Sequence, residues 1–271
     1  MVASISYSGT IPEFYDRFLG PLLFQPYAMD LASRTCQGSA DHVLEIACGS
    51  GLVTRQLIRK LPSWSELIAS DINPDMIARA KERVKEEHID WIVADGQDLP
   101  FPESSFDLVV CQFGFMFMPE KGRAFKEAAR VLKPDGRLLF NVWDRIENNP
   151  LIDLADKTVR GFFPVDPPSF YQVPFSFYDV GTIQELLDAA GFRNTKIELV
   201  KEQSFSPTAR DAATGIVDGT PVSTYIQKCN PALLDVIRNR VEKEIARLFG
   251  SNPLRAPMAA WVGDTWKYPV N

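Results

Sequence analysis

Along the first half of the chain, short apolar runs alternate with longer stretches in which apolar residues recur every three or four positions. The runs "HVLEIA" (42–47), "ELIASD" (66–71), "DWIVAD" (90–95), "FDLVVCQF" (106–113) and "RLLFNVW" (137–143) have the length and composition of strands. "FDLVVCQF" is apolar on both alternating faces, as in a strand covered from both sides. Between the runs, "LVTRQLIRKL" predicts a helix stopped by Pro62, and Asn73 and Pro74 supply the cap and first position of a helix reaching about Glu87. A further helix runs from about Glu120 to Leu132 and ends at the turn signal "KPDG". Repeated alternation of this kind predicts a parallel, doubly wound α/β sheet with right-handed crossovers.

The flanks are patterned differently. Before residue 40, Thr10 and Glu13 make a candidate capping box, and "LLFQPYAMDLASRTC" follows Pro21 with helical spacing, so two short helices are expected. After residue 145, "NPLIDLADKTVRGFF" reads as a helix and "PVDPPSFYQVPFSFYD" as an irregular, proline- and aromatic-rich cover. "TIQELLDAAGF" is a short helix with a capping box from Thr182 to Glu185 and a stop at Gly191, and "TKIELVKEQSF" is a strand. Residues 208–250 are mostly helical, with "NPALLDVIRNRVEKEIARLF" the clearest piece, and "PMAAWVGDTWKY" is a final strand. With no internal repeat or low-complexity linker, the expected organisation is one domain. Its parts are a helical cover (1–40), a ligand-binding core (41–145) and a C-terminal half carrying a lid and the last strands (146–271).

Composition narrows the classes. The 271 residues are 45% apolar and 24% charged, enough for a full core without staples. A net charge of −6 and the absence of a Lys/Arg cluster disfavour a dedicated nucleic-acid surface. Nothing approaches the ~20 apolar residues of a membrane span, and the N-terminus lacks a signal-peptide pattern. The four cysteines, Cys36, Cys48, Cys111 and Cys229, form no metal-ligand or disulfide spacing. A cytoplasmic protein without bound metal is expected, monomeric or homodimeric.

The chemistry concentrates where strands end. In "VLEIACGSG" (43–51) a buried strand meets a small-residue loop, in which Gly49 and Gly51 allow a tight turn and close approach of a ligand while Ala47 and Cys48 keep the floor shallow. Asp71 closes the second strand twenty residues after Gly51, where a carboxylate can accept both hydroxyls of a ribose. Asp95, Gly96 and Gln97 close the third and offer polar groups to a heterocycle such as adenine.

Together "VLEIACGSG", "ASDINPDMIARA" and "ADGQDLPFPESSFDLVVCQFGFMFM" resemble the successive motifs of class I S-adenosylmethionine-dependent methyltransferases, especially the quinone-biosynthesis branch. The resemblance covers about residues 40–145, including the "KPDG" turn. It implies a Rossmann-like, seven-stranded, mostly parallel sheet with the last strand antiparallel, residues 208–250 being inserted between strands six and seven. It also implies S-adenosyl-L-methionine as cofactor, with S-adenosyl-L-homocysteine as product. By position, Glu45 would support the loop and the methionine end, Ala47, Gly49 and Gly51 would line it, and Asp71 would take the ribose. Ile72 and Met76 would pack on adenine, Asp95 with Gly96 or Gln97 would meet its edge, and Gln112 would lie near the methyl group. Ala47 stands where the family often has glycine.

Methyl transfer is an in-line displacement from a sulfonium, favoured by alignment, exclusion of water and aromatic faces beside the cation. The aromatic candidates are Tyr7, Phe14, Tyr15, Tyr27, Phe115, Phe117 and Trp143, with an active-site role given to Tyr15, as a cofactor contact, and to Tyr27 and Phe117, and core packing to most of the others. Tyr27, Phe117, Trp143, Tyr171 and Phe175 are candidate contacts for a small, partly apolar acceptor, with Phe170 and Phe177 as further roof residues in the same segment. Tyr15, Asp16, Asp144, Glu147 and Tyr171 are candidate bases, while His42 at the start of the first strand and His88 at a helix end away from the carboxyl edge are read as surface or structural residues. No "N-P-P-Y" type motif or metal-binding carboxylate set is present, which disfavours DNA adenine and metal-dependent catechol substrates. Two other functions share these features: a module that binds S-adenosylmethionine without catalysis, and an NAD-dependent oxidoreductase. The latter is opposed by Thr54 where G-x-G-x-x-G requires glycine and by acidic Glu45.

Overall fold

A computed structural model describes residues 9–36, 40–86 and 88–268. Tyr7 and Glu87 lie outside the described residues. The strands are β1 (His42–Ile46), β2 (Glu66–Asp71), β3 (Ile89–Val93), β4 (Phe106–Gln112), β5 (Leu132–Trp143), β6 (Phe192–Ser206) and β7 (Leu254–Lys267). The α-helices are α1 (Ile11–Phe14), α2 (Gln25–Arg34), α3 (Leu52–Leu57), α4 (Pro74–Arg83), α5 (Lys121–Val131), α6 (Pro150–Arg160), α7 (Val180–Ala189), α8 (Ala209–Asp218), α9 (Val222–Cys229) and α10 (Leu233–Phe249).

The seven strands form one sheet in the order β3-β2-β1-β4-β5-β7-β6. β1 pairs in parallel with β2 (Val43 opposite Leu67) and with β4 (Val43 opposite Leu108), and β5 pairs in parallel with β4. β7 runs antiparallel to β5, with Phe140 opposite Gly263. The expected seven-stranded fold is therefore present, and α8, α9 and α10 fall between β6 and β7 as the insertion requires. Strand order reverses between β1 and β4, the place where doubly wound sheets hold ligands beyond the strand ends.

The chain divides into two compact units, one of Met1–Pro26, Arg145–Phe175 and Lys201–Ala259, the other of Tyr27–Asp144, Ser176–Val200 and Ala260–Asn271. In the second unit both faces of the sheet are apolar. On one, Val43, Leu67, Ala69, Leu108, Val110, Leu139 and Val262 pack with α2, α3 and α4 residues such as Leu31, Val53 and Ile77. Alternate residues are apolar too, and Phe140 meets Phe125 of α5 and Phe115 in edge-on or tilted ring contacts. A two-residue side-chain period with both phases apolar is what a sheet covered on two faces demands.

Near the N-terminus α1 continues into a π-helix over Tyr15–Phe24, and α2 follows at Gln25 without an intervening loop, where two short helices were expected. Pro21 explains the widening. It has no N–H to give and its ring crowds the preceding turn, whereas π winding, as in the Gln25 N–H to Gly20 C=O bond, spaces that turn out. α8 packs against this helix backbone to backbone. A Cβ on Gly215 would lie 2.8 Å from the Leu19 nitrogen, and one on Gly219 3.1 Å from that of Tyr15.

Local capping departs from the sequence reading twice. Thr10 makes no side-chain cap, and the cap of α7 is Asp179, whose Oδ1 accepts from the Thr182 N–H, in place of Thr182 with Glu185. The cap at Asn73 is as expected, its side chain accepting from Asp75 N–H at 2.9 Å. "KPDG" is taken up into β5, with Asp135 in the left-handed region (φ 62°) and a register shift against β4 between Phe106 and Leu108.

Candidate functional site

The loop after β1 is built from backbone constraints. Ala47, Gly49 and Gly51 all have positive φ (56°, 55° and 81°). The Cys48 N–H donates to Ser70 C=O at 2.9 Å and the Gly51 N–H to Cys48 C=O at 3.0 Å, folding the chain back before α3 begins at Leu52. An alanine pays a modest strain for the left-handed conformation, ~1 kcal/mol. The two glycines serve different ends. A Cβ on Gly49 would project into open space, the face a ligand can reach, whereas one on Gly51 would meet Val84 Cγ2 at 3.0 Å and Ala80 Cβ at 3.4 Å. Gly51 thus lets α3 start close against α4.

Asp71 holds this loop from the next strand. Its Oδ2 accepts the Gly49 N–H at 2.9 Å and its Oδ1 the Asn73 N–H at 2.8 Å. Burial raises its pKa, while the N–H groups of Asn73, Gly49 and Ile72 pull it down. Glu45, at the end of β1, is fully buried, and burial pushes its pKa up to about 8, opposed by Thr54 and reinforced by the charge of Asp71. Its Oε2 has no hydrogen-bond partner. Two acids with raised pKa at neighbouring strand ends form a site that a positive charge would stabilise.

The remaining cofactor candidates fall around the same edge. Ile72 is exposed and Met76, on α4, is buried, so only Ile72 offers an open face. The Asp95 carboxylate accepts the Gln97 N–H at 2.9 Å and its amide at 3.1 Å. Gln97 Oε1 accepts the Glu120 N–H at 2.8 Å, so this side chain ties the loop after β3 to the start of α5. Gly96 is buried, and a Cβ there would strike Met118 Cε at 2.6 Å. Cys48 is buried, its thiol held well above its ordinary pKa by burial and the nearby acids. Gln112 is the last residue of β4, opposite Asn141.

Tyr27 and Trp143, expected at the substrate, are buried in a cluster with Phe113. The Phe113 and Trp143 rings stack at 4.1 Å, and Tyr27 meets each edge-on at 5.4 Å. The Tyr27 hydroxyl donates to Val200 C=O at 3.2 Å. The three rings pack on one another just beyond the end of β4. Phe117 is half-buried in a single 3₁₀ turn, Phe115–Phe117. Phe177 is buried in the second unit, under the Lys121 ammonium at 5.3 Å from its ring centre.

Tyr15, Asp16, Glu147, Phe170, Tyr171 and Phe175 belong to the first unit. Tyr15 stacks on Phe24 at 5.3 Å. Tyr171 and Phe175 are buried, and the Tyr171 hydroxyl donates to Ile216 C=O at 2.8 Å, which makes it a structural tie to α8. Asp144, at the end of β5, is buried and accepts from Trp261 Nε1 at 3.1 Å.

Three residues at the site escaped the sequence reading. Asn141, wholly buried in β5, accepts the Phe113 N–H on its Oδ1 at 2.9 Å and sets the turn after β4. An asparagine inside "LLFNVW" was the available signal. Gly114 is required because a Cβ there would lie 2.6 Å from both Ala47 Cβ and Cys111 Sγ. Thr54 is buried against Glu45. Among the described residues no group of His, Cys, Asp and Glu side chains could hold a metal ion, and no helix is long and apolar enough to cross a membrane.

Residues 44–140 match a family described as a methyltransferase domain. That stretch is a methyltransferase domain. It carries the glycine loop, Asp71, Asp95 and β4 in one match. The domain is related to the quinone-biosynthesis branch of S-adenosylmethionine-dependent methyltransferases. The chain is 34% identical over 131 residues to the ubiquinone/menaquinone biosynthesis C-methyltransferase UbiE of Pseudomonas aeruginosa, covering 47% of this chain and 51% of that protein. It is 38% identical over 118 residues to UbiE of Laribacter hongkongensis, covering 41% and 48%. The chain thus spans about half the length of these curated relatives. Among solved structures, YcgJ of Bacillus subtilis superposes with a TM-score of 0.58 at 21% identity, covering 90% of this chain and all of that one. Phosphoethanolamine N-methyltransferase 2 of Haemonchus contortus, in complex with S-adenosyl-L-methionine, gives 0.61 at 16% identity, covering 97% and 58%. These likenesses establish the Rossmann-like methyltransferase fold.

Proposed function

We propose that the protein is an S-adenosylmethionine-dependent methyltransferase that methylates a small, partly apolar molecule. The observation that carries this reading is the coupling of Gly49, open on its ligand-facing side, to Asp71 through one hydrogen bond, with the buried acid Glu45 on the adjoining strand. Such a site suits a ligand that is positively charged at one end and carries a ribose at the other. The methionine end would lie along residues 45–51, the ribose hydroxyls on the remaining lone pairs of Asp71, and adenine over Ile72 beside Asp95 to Gln97. In this reading Gln112 faces the methyl group. The sulfonium supplies the methyl, and the protein supplies alignment and a dry, anionic surround. The UbiE relatives support a carbon acceptor, for which a strong base on the enzyme is less needed than for a hydroxyl.

Fold alone does not fix the reaction, since one structural neighbour is described as a [4+2]-cyclase. The test is therefore a turnover assay: formation of S-adenosylhomocysteine from S-adenosylmethionine, with a panel of hydroquinones, phenols and small amines as acceptors. Acceptor-dependent product, lost in Asp71→Ala, supports the reading. Binding without turnover on any acceptor would favour a non-catalytic module. The free cysteines Cys36, Cys48, Cys111 and Cys229 suit the reducing cytoplasm to which we assign the enzyme.

A further inference from the structure

Glu45 and Thr54 are 1% and 0% exposed, and Ser50, four residues before Thr54, is 1% exposed. The hydroxyl and amide of Thr54 lie against the Glu45 carboxyl and favour its ionised form. Even so, Glu45 Oε2, Thr54 Oγ1 and Ser50 Oγ complete no hydrogen bond of acceptable geometry. The charge that acts on Glu45 is that of Asp71 from β2, and the two thiols that Glu45 in turn pushes up, Cys48 in the loop and Cys111 of β4, are raised mainly by burial. A carboxyl enclosed among such groups rests as the neutral acid. Orphaned polar atoms in a closed site mark a place where a partner belongs.

We propose that Glu45 is neutral in the empty site and loses its proton when the cationic end of the cofactor enters, with Thr54 as the positioning residue that receives the new carboxylate. The proposal rests on the cofactor reading given above. The O–H bond of the Glu45 carboxyl breaks, and the proton passes to the buffer. The carboxylate left behind is balanced by the ligand's positive charge, and the Thr54 hydroxyl turns to donate to it. No electrons change hands. Binding therefore supplies the free energy of ionisation, and affinity rises with pH until Glu45 is already ionised in the empty protein.

The test is calorimetric titration of the whole chain with S-adenosylmethionine at about pH 7, in buffers of different ionisation enthalpy, for the wild type and Glu45→Gln. Subtracting the second proton count from the first removes the titration of the ligand's own amine. The expected difference is the release of about one proton by the wild type. Equal proton counts in two proteins that both bind would overturn the proposal and leave the cofactor reading intact, whereas a wild type that binds nothing would overturn both. If Glu45→Gln does not fold, Thr54→Val decides. Its affinity should fall about tenfold at pH 7 and recover most of that loss at pH 9, while an equal loss at both pH values would assign Thr54 a merely structural role and contradict the proposal.

Discussion

The carboxylate of Asp71 accepts the backbone N–H of Gly49 at 2.9 Å, so the last residue of β2 sets the shape of the loop that follows β1. This doubles the consequence of removing it. Asp71→Ala leaves the Gly49 and Asn73 N–H groups without their acceptor, at a cost of about 1–3 kcal/mol. In the proposed site the ribose contacts are lost as well. Denaturant unfolding should show the stability loss, and calorimetry should show cofactor affinity falling at least tenfold in the folded mutant.

Gly49 and Gly51 should separate under substitution. Gly49→Val points its side chain into open space, so the protein should fold with a backbone penalty of about 1–2 kcal/mol and fail to bind cofactor. Gly51→Ala places a Cβ 3.0 Å from Val84 Cγ2 at φ 81°, so it should lower the melting temperature by a similar penalty with much of the affinity retained. Thermal melts with and without S-adenosylmethionine distinguish the two.

The contrast also shows what could be read from the chain. The strand ends and the cap at Asn73 were legible because they rest on local signals: an apolar run meeting glycine, an asparagine before proline. The packing role of Gly51 was not, because it depends on Ala80 of α4 and on Val84, which caps it, about thirty residues away. Gln97, read from the sequence as a ligand contact, also ties the loop after β3 to Glu120, a second role that only the position of its neighbour reveals. Tyr27, Trp143 and Tyr171 have the composition of a substrate pocket, and what their letters did not reveal is that each is buried and also makes a ring or hydroxyl contact within the protein. Pro21 suggested a break, and the helix absorbs it by widening.

Glu45 gives the stability of the ligand-free protein a definite pH dependence. Its folded pKa of about 8 lies above the ordinary 4.5, so between those values the folded protein holds a proton that the unfolded chain has released. Stability from this group is greatest below about pH 4.5 and declines as pH rises to about 8, by up to about 4–5 kcal/mol. Urea titrations from pH 5 to 9 should show the wild type losing stability relative to Glu45→Gln across that window.

Away from the site, Arg137 and Asp264 join β5 to β7 through two 2.7 Å hydrogen bonds, both side chains being buried. Asp264→Ala strands a buried guanidinium and should cost about 3–5 kcal/mol. Gly263, opposite Phe140, leaves space for that ring, and an added Cβ would lie 2.2 Å from it. Gly263→Ala should therefore cost about 1–3 kcal/mol through overpacking. Guanidinium unfolding of both variants checks the two values.

The central claim is that the glycine loop and Asp71 cradle S-adenosylmethionine. Calorimetric titration of the purified protein with S-adenosylmethionine, S-adenosylhomocysteine and NADH tests it most directly. Micromolar binding of the two sulfur nucleotides and none of NADH is the predicted result. Binding of NADH alone, or of none of the three, would contradict it.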